Sequence, residues 1–213
     1  MAKRLTKAIA RKVLLTIDAG LTDGLGIPEP GKMCVEAAVC YARGLPHGDH
    51  PDCVASSLNK LKIVLNDNSW WISNKSRAKG MRKLAILQLG TAGALDEIDF
   101  VRRLVPVAKD MAAHAAAYAD ADAADAAYAA DAADAADAAA AHAAAYADAA
   151  AAYADAADAA YAADAAAHAA ADAAQAAYAA AGEAELVYFA DRVADILIEM
   201  KVPAVKWLDL LEE

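Results

Sequence analysis

The side chains best suited to metal or nucleophilic chemistry lie between residues 34 and 53 of this 213-residue chain. Zinc takes thiolate, imidazole and carboxylate ligands, and a structural zinc ion needs four of them in a tetrahedral array. Two of the cysteines are six positions apart and no C-x-x-C pair occurs, so the spacing matches no zinc motif. A Cys–His nucleophile pair would need a third, orienting group, and none is identifiable. We therefore predict no metal ligand and no catalytic residue in this group, and a structural metal stays open as the alternative. The group consists of Cys34, Cys40, His47, Asp49, His50, Asp52 and Cys53.

A second group of side chains mixes aromatic rings with cations around a predicted helix start. It consists of Trp70, Trp71, Lys75, Arg77, Lys79, Arg82 and Lys83. Helix N-termini favour anions and arginine donates two hydrogen bonds to a phosphate, so the pattern is compatible with a pocket for a small anionic ligand such as a nucleotide. The competing interpretation is a basic surface that pairs with acidic parts of the chain, beside two tryptophans in the core.

Residues 112–181 form an alanine-rich tract, with 49 alanines in 70 positions and no Gly, Pro, Ser, Thr or Asn. Alanine has the highest helix propensity, so the tract is predicted to be helical. Its large rings fall within an arc of roughly 120° on a helical wheel. We predict that they form a packing face or a partner-binding stripe: His114, Tyr118, Tyr128, His142, Tyr146, Tyr153, Tyr161, His168 and Tyr178. The tract is either one straight helix of about 105 Å or a hairpin that folds back near residues 131–142.

Charge is distributed unevenly along the chain. Residues 1–111 hold 17 Lys and Arg against 11 Asp and Glu, whereas residues 112–181 hold 11 Asp and no Lys or Arg. The net charge of −10 argues against a nucleic-acid partner, and aspartates that recur through the tract argue against membrane insertion. Three cysteines do not form a disulfide framework, so we expect reduced thiols and a cytoplasmic protein.

Conventional helices are predicted on both sides of the tract. Apolar residues recur every three or four positions in several segments that Gly and Pro separate. The predicted helices span residues 3–18 and 32–43, and a third has Pro51 at its first position and carries Val54 to Leu65. Asn74 or Ser76 is predicted to cap the next helix, which runs to Leu89, and Asp96 to open another before Pro106. Two more are predicted in the C-terminal part, 183–200 and 203–211.

The segment KMCVEAAVCYARGLPHGDHPDCV, together with IVLNDNSW and MRKLAILQLG, resembles the Imm-5-like Ala-rich putative immunity proteins of bacteria and phages. The resemblance covers residues 1–111 by motif and the alanine tract by composition. It implies a protein that binds and neutralises a toxic or defence component without catalysis. It assigns no catalytic residue to this chain.

The sequence therefore predicts an all-α protein. It has a small helical domain (residues 1–111), a long alanine-rich helix or helical hairpin (112–181) and a C-terminal helical cap that packs on the rest (182–213). We expect a non-enzymatic binding or inhibitory protein, immunity-like or anti-defence-like, that uses no cofactor. Its partner would be another protein or a second copy of the chain. The alternatives are sequestration of a small anionic ligand and a structural or oligomerisation spacer.

Overall fold

The computed structural model describes residues 4–119 and 182–212, together with Ala145. Within the first range, the side chains of residues 108, 109 and 111–119 are not described, which includes those of His114 and Tyr118. The rest of the predicted ring stripe, from Tyr128 to Tyr178, lies outside the described residues, and so does the choice between a straight helix and a hairpin.

All regular structure in the described ranges is helical, which confirms the all-α prediction. The helices are α1 (Lys7–Asp18), α2 (Val35–Arg43), α3 (Ser56–Asn66), α4 (Asn74–Leu87), α5 (Glu97–Ala119), α6 (Glu183–Glu199) and a C-terminal 3₁₀ helix (Pro203–Glu212). The one bridge between extended segments in these ranges is an isolated antiparallel pair, Gly26 and Met33. None of the helices described is both long and apolar enough to cross a membrane.

Helix α4 occupies the centre of the fold. It packs against α1, α2, α6 and the 3₁₀ helix, while α5 packs against α6 and α3. Met81, Leu84 and Ala85 on α4 are fully buried because neighbours surround this helix on several sides. The core continues through Phe100 of α5 and Phe189 of α6. The C-terminal helices thus complete the core of the first 111 residues.

Two predicted helix ends follow from local chemistry and are confirmed. Gly44 adopts a left-handed conformation with φ 72° and ends α2, as glycine commonly does at helix C-termini. Asp96 precedes α5, and its Oδ1 accepts a hydrogen bond from the backbone N–H of Asp99 at 3.0 Å. An aspartate in this position satisfies one of the free amides of the first helical turn.

The start of α3 differs from the sequence prediction. Pro51 lies in a turn rather than at the first helical position, and α3 begins at Ser56. The reason is tertiary, because the amide groups at the start of α3 find partners on distant residues. Ala55 N donates to Thr91 Oγ1 at 2.9 Å, and Ser57 N donates to Glu97 Oε2 at 2.7 Å.

Two further predicted boundaries were wrong. The residue that caps α4 is Ser73 rather than Asn74 or Ser76, because Ser73 and Ser76 exchange side-chain hydrogen bonds with each other's backbone N–H in a capping box. Helix α5 continues through Pro106 to Ala119 instead of ending at the proline. Leu104 and Val107 on either side of Pro106 are buried, so core packing offsets the hydrogen bond that the proline removes.

Candidate functional site

An open groove lies on the surface between α4 and α6, with a volume of about 840 Å³. We call it the α4–α6 groove. Its lining residues are Ile72, Ser76, Lys79, Gly80 and Lys83 from the α4 side, and Glu183, Ala184, Val187 and Asp191 from α6. Both walls are helices of the packed core, so the groove is preformed. Preformed concave surfaces with apolar walls are typical of binding sites.

The apolar part of the groove is formed by Ile72 and Val187. The Ile72 side chain is 83% exposed, the most exposed large apolar side chain in the described ranges, and Val187 is 37% exposed. Gly80 lies between them and contributes no side chain. Trp70, which is 42% exposed, lies in the same loop before α4. Ile72 lies in the bend before α4, and exposed apolar side chains grouped on one surface are typical of interaction sites.

Charges of opposite sign border the two walls. Lys79 and Lys83 lie on α4, while Glu183 and Asp191 lie on α6. Lys83 Nζ is 3.1 Å from Asp195 Oδ1, so its charge is already paired across the groove. Lys79 and Asp191 are exposed, and no described residue forms an ion pair with either. Among the described residues, the groove therefore has an unpaired positive charge on its α4 wall and an unpaired negative charge on its α6 wall.

The structure separates the seven residues that the sequence grouped around the start of α4. Trp71 and Arg77 are buried, Lys75 and Arg82 face α1, Lys79 and Lys83 face α6, and Trp70 stays on the surface. A helix presents successive residues about 100° apart, so side chains that are close in sequence point to three different neighbours. They do not converge on one pocket.

Most of the cations in this group are occupied by neighbouring oxygens. Arg77 Nη1 donates to Leu21 O and to Asn74 Oδ1, both at 3.0 Å, and burial lowers the pKa of this guanidinium. Lys75 Nζ donates to Asp18 O at 2.7 Å. Arg82 Nε donates to Asp18 Oδ1 at 2.9 Å. These contacts tie α4 to α1 and to the loop before α2, and they leave few donors for an anionic ligand.

Cys40 and the four histidine and aspartate residues of the first group line one shallow hollow, whereas Cys34 lies at the start of α2. Cys34, Cys40 and Cys53 are free and buried, and no cluster of three or more metal-type ligands occurs in the described part of the chain. Cys34 Sγ caps α2 by accepting from Ala37 N at 3.3 Å. Burial raises the pKa of Cys34 and of Cys40 to about 11, so both are neutral thiols near neutral pH.

The two histidines of this group make local hydrogen bonds in the connection between α2 and α3. His47 Nε2 donates to Gly26 O at 3.0 Å, and His50 Nδ1 donates to Asn59 Oδ1 at 2.8 Å. The shallow hollow beside them has a volume of about 350 Å³ and is lined by Cys40, Leu45, Pro46, His47, Gly48, Asp49, His50 and Asp52. The hydrogen bonds hold the connection in place. Cys40 is the thiol that lines this hollow, and burial raises its pKa to about 11, so it is protonated near neutral pH.

A buried polar cluster escaped the sequence analysis. Lys62 Nζ donates hydrogen bonds to Glu36 Oε1 and to Gln88 Oε1, and all three side chains are fully buried. Burial raises the pKa of Glu36 and lowers the pKa of Lys62, while the attraction between the two charges opposes both shifts. The cluster joins α2, α3 and the C-terminal end of α4.

The sequence did contain a clue to this cluster. Lys62 lies four positions after Leu58 and three before Leu65, which places it on the apolar face of α3. Glu36 is the single charged residue within the apolar run from Met33 to Cys40. One cation and one carboxylate, each on an apolar face, suggest a buried ion pair.

No protein family, no curated protein and no solved structure matches the chain.

Proposed function

We propose that the chain is a non-enzymatic binding protein that holds a protein partner in the α4–α6 groove. The observation that carries the proposal is the exposure of Ile72, 83% in a groove whose two walls are core helices. Covering a side chain of this size contributes about 1.5–3 kcal/mol. Contact with an apolar side chain of a partner is the simplest way to gain this stabilisation.

The chemistry of the groove favours a protein over a small anion. Apolar side chains with a few charges at the edge are typical of protein interfaces, where buried apolar anchors supply most of the affinity. Three of the five cations of α4 are bonded to Asp18, Leu21 and Asn74. Lys83 is paired with Asp195, which leaves one lysine, Lys79, for a phosphate. The resemblance to immunity proteins supplies the proposed biological setting, in which binding neutralises a toxic or defence component.

The proposal is tested by a charge placed in the groove. Ile72→Asp adds a carboxylate to the apolar part of the groove, and Leu15→Asp adds the same group to α1, where Leu15 is 66% exposed and outside the groove. A partner captured from the native host by cross-linking would be purified and its affinity measured by calorimetry. We expect Ile72→Asp to weaken binding by roughly 30-fold or more and Leu15→Asp to leave it unchanged.

Two results would overturn the proposal. One is equal affinity of the partner for both variants, since the partner would then bind elsewhere. The other comes from native mass spectrometry of the purified chain. A co-purified anion that is lost in Lys75→Ala and Arg82→Ala, but retained in Ile72→Asp, would assign the function to small-molecule sequestration.

A further inference from the structure

The two walls of the α4–α6 groove differ in sign, and this difference specifies the partner. We infer that the groove takes an amphipathic helix of another protein, with an apolar ridge bordered by carboxylates on one flank and by cations on the other. The inference rests on the proposed function and narrows it to one class of partner. Its basis is that Lys79 lines the α4 wall and that Glu183 and Asp191 line the α6 wall, with none of the three in an ion pair with another described residue.

The dimensions of the groove suit a helix. Its lining residues on α4 extend from Ser76 to Lys83, a separation of 7 residues that corresponds to about 10 Å, or two helical turns, and Ile72 lies beyond the start of the helix. Its α6 side extends from Glu183 to Asp191. A third helix packs into the valley between two neighbouring helices with its ridge of i, i+3 and i+4 side chains, which is a recurrent mode of recognition.

Gly80 lies on the α4 wall of the groove, opposite Val187 of α6. The nearest α6 atom to a Cβ at this position would be Val187 Cγ2 at 3.5 Å, so α4 and α6 approach closely here, and the indole ring of Trp71 packs against the same glycine. Ile72 projects at one end of the valley. A large apolar side chain of the partner helix would contact the exposed parts of Ile72 and Val187.

Charge argues against occupation of the groove by the chain itself. Residues 112–181 contain 11 Asp and no Lys or Arg, so this tract could complement the α4 wall but would place like charge against Glu183 and Asp191. A second copy of the chain brings a net charge of −10, and two such copies repel each other. A partner that carries both signs satisfies both walls.

The opposite signs also fix the direction of the bound helix. A helix with carboxylates on one flank and cations on the other can place its carboxylates towards Lys79 in only one of the two directions along the groove. Reversing the helix would set its carboxylates against Glu183 and Asp191. The groove therefore selects both the charge pattern and the orientation of its partner.

The test uses three designed helical peptides that share one leucine ridge. In the first peptide the flanks are glutamate and lysine, in the second both are glutamate, and in the third both are lysine. The mixed peptide matches both walls of the groove, whereas each of the other two matches one. We therefore expect the mixed peptide to bind the full-length chain about threefold more tightly than either of the others, and we expect this difference to be lost at high salt. We expect Ile72→Asp to abolish binding of all three peptides.

Charge-reversal variants provide matched controls. Lys79→Glu should shift the preference to the peptide with two lysine flanks, and Asp191→Lys should shift it to the peptide with two glutamate flanks. A fluorescent label at either end of the mixed peptide, read against an acceptor on Trp70→Cys in the loop before α4, should report a single direction, since Trp70 is exposed and does not line the groove. An unchanged preference in both variants, or two equally populated directions, overturns the inference.

Other occupants give distinct results. If maleimide labelling of Ile72→Cys is slow in a monomer, the chain covers its own groove. If labelling is slow only in a dimer, a second copy covers it. Either result overturns the inference. Failure of every peptide to bind a chain that still captures its partner through Ile72 also overturns it, but leaves the proposed function intact.

Discussion

The indole ring of Trp71 lies directly against Gly80. A Cβ at position 80 would be 2.5 Å from Trp71 Cη2 and 2.6 Å from Cζ3, closer than nonbonded carbon atoms approach. The ring is 5% exposed, and its Nε1 donates a hydrogen bond to Leu65 O at 2.8 Å. Because the indole is held at both edges, glycine at position 80 is what allows α4 to approach it.

We predict that Gly80→Ala destabilises the chain. In an open helix the change would gain about 1 kcal/mol from helix propensity, but overpacking a buried ring costs about 1–3 kcal/mol and here exceeds the gain. The expected net loss is about 1–2 kcal/mol in the free energy of unfolding, measured with urea. Gly48→Ala is the control, since nothing lies within 4 Å of a Cβ there. A Gly80→Ala variant as stable as the wild type would contradict the packing described.

The second prediction concerns the buried pair of Lys62 and Glu36. Lys62→Met or Glu36→Leu alone leaves one uncompensated buried charge, and each should cost about 3–5 kcal/mol of unfolding free energy. The double variant leaves neither charge, so its loss should be no larger than that of either single variant. A double-mutant cycle from urea unfolding measures this coupling. Additive losses would mean that the two side chains do not act as a pair.

The same pair should make stability depend on pH in a defined way. Burial raises the pKa of Glu36, so its stabilising contribution is full below the unfolded value of 4.5 and is lost as pH rises through the folded pKa. Burial lowers the pKa of Lys62, so its contribution is full above 10.5 and is lost as pH falls through the folded pKa.

These two directions combine into one measurable profile. We compare the unfolding free energy of the wild type with that of the Glu36→Leu/Lys62→Met variant. The advantage of the wild type should be smallest at pH values that lie between the folded-state pKa of Glu36 and the folded-state pKa of Lys62. It should grow towards both acidic and basic pH. Urea titrations of both proteins across the pH range measure it. A difference that peaks near neutral pH would show that attraction between the charges outweighs their burial.

The fourth prediction concerns the thiols. With pKa values of about 11, Cys34 and Cys40 are almost fully protonated at pH 8, and both are buried. In a Cys53→Ser variant, which leaves these two thiols, Ellman's reagent should react at least roughly a hundredfold more slowly with the native chain than with the urea-unfolded chain. Rapid reaction of either thiol in the native protein would indicate a reactive cysteine and reopen the question of thiol chemistry.

The sequence determined the parts of this protein that depend on neighbouring residues. Apolar spacing identified the helices in the described ranges, Gly44 marked the end of α2, and Asp96 marked the start of α5. These predictions succeeded because a helix and its caps are stabilised by contacts within about four positions along the chain.

The tertiary structure decided which face of each helix meets which neighbour. Seven aromatic and basic residues near the start of α4 looked like one pocket in the sequence, but packing on α1 and α6 divides them and leaves Lys79 free at a groove. Lys62 finds its carboxylate on another helix, 26 positions away in the chain. Such pairings depend on how helices cross, and no local pattern of residues encodes the crossing.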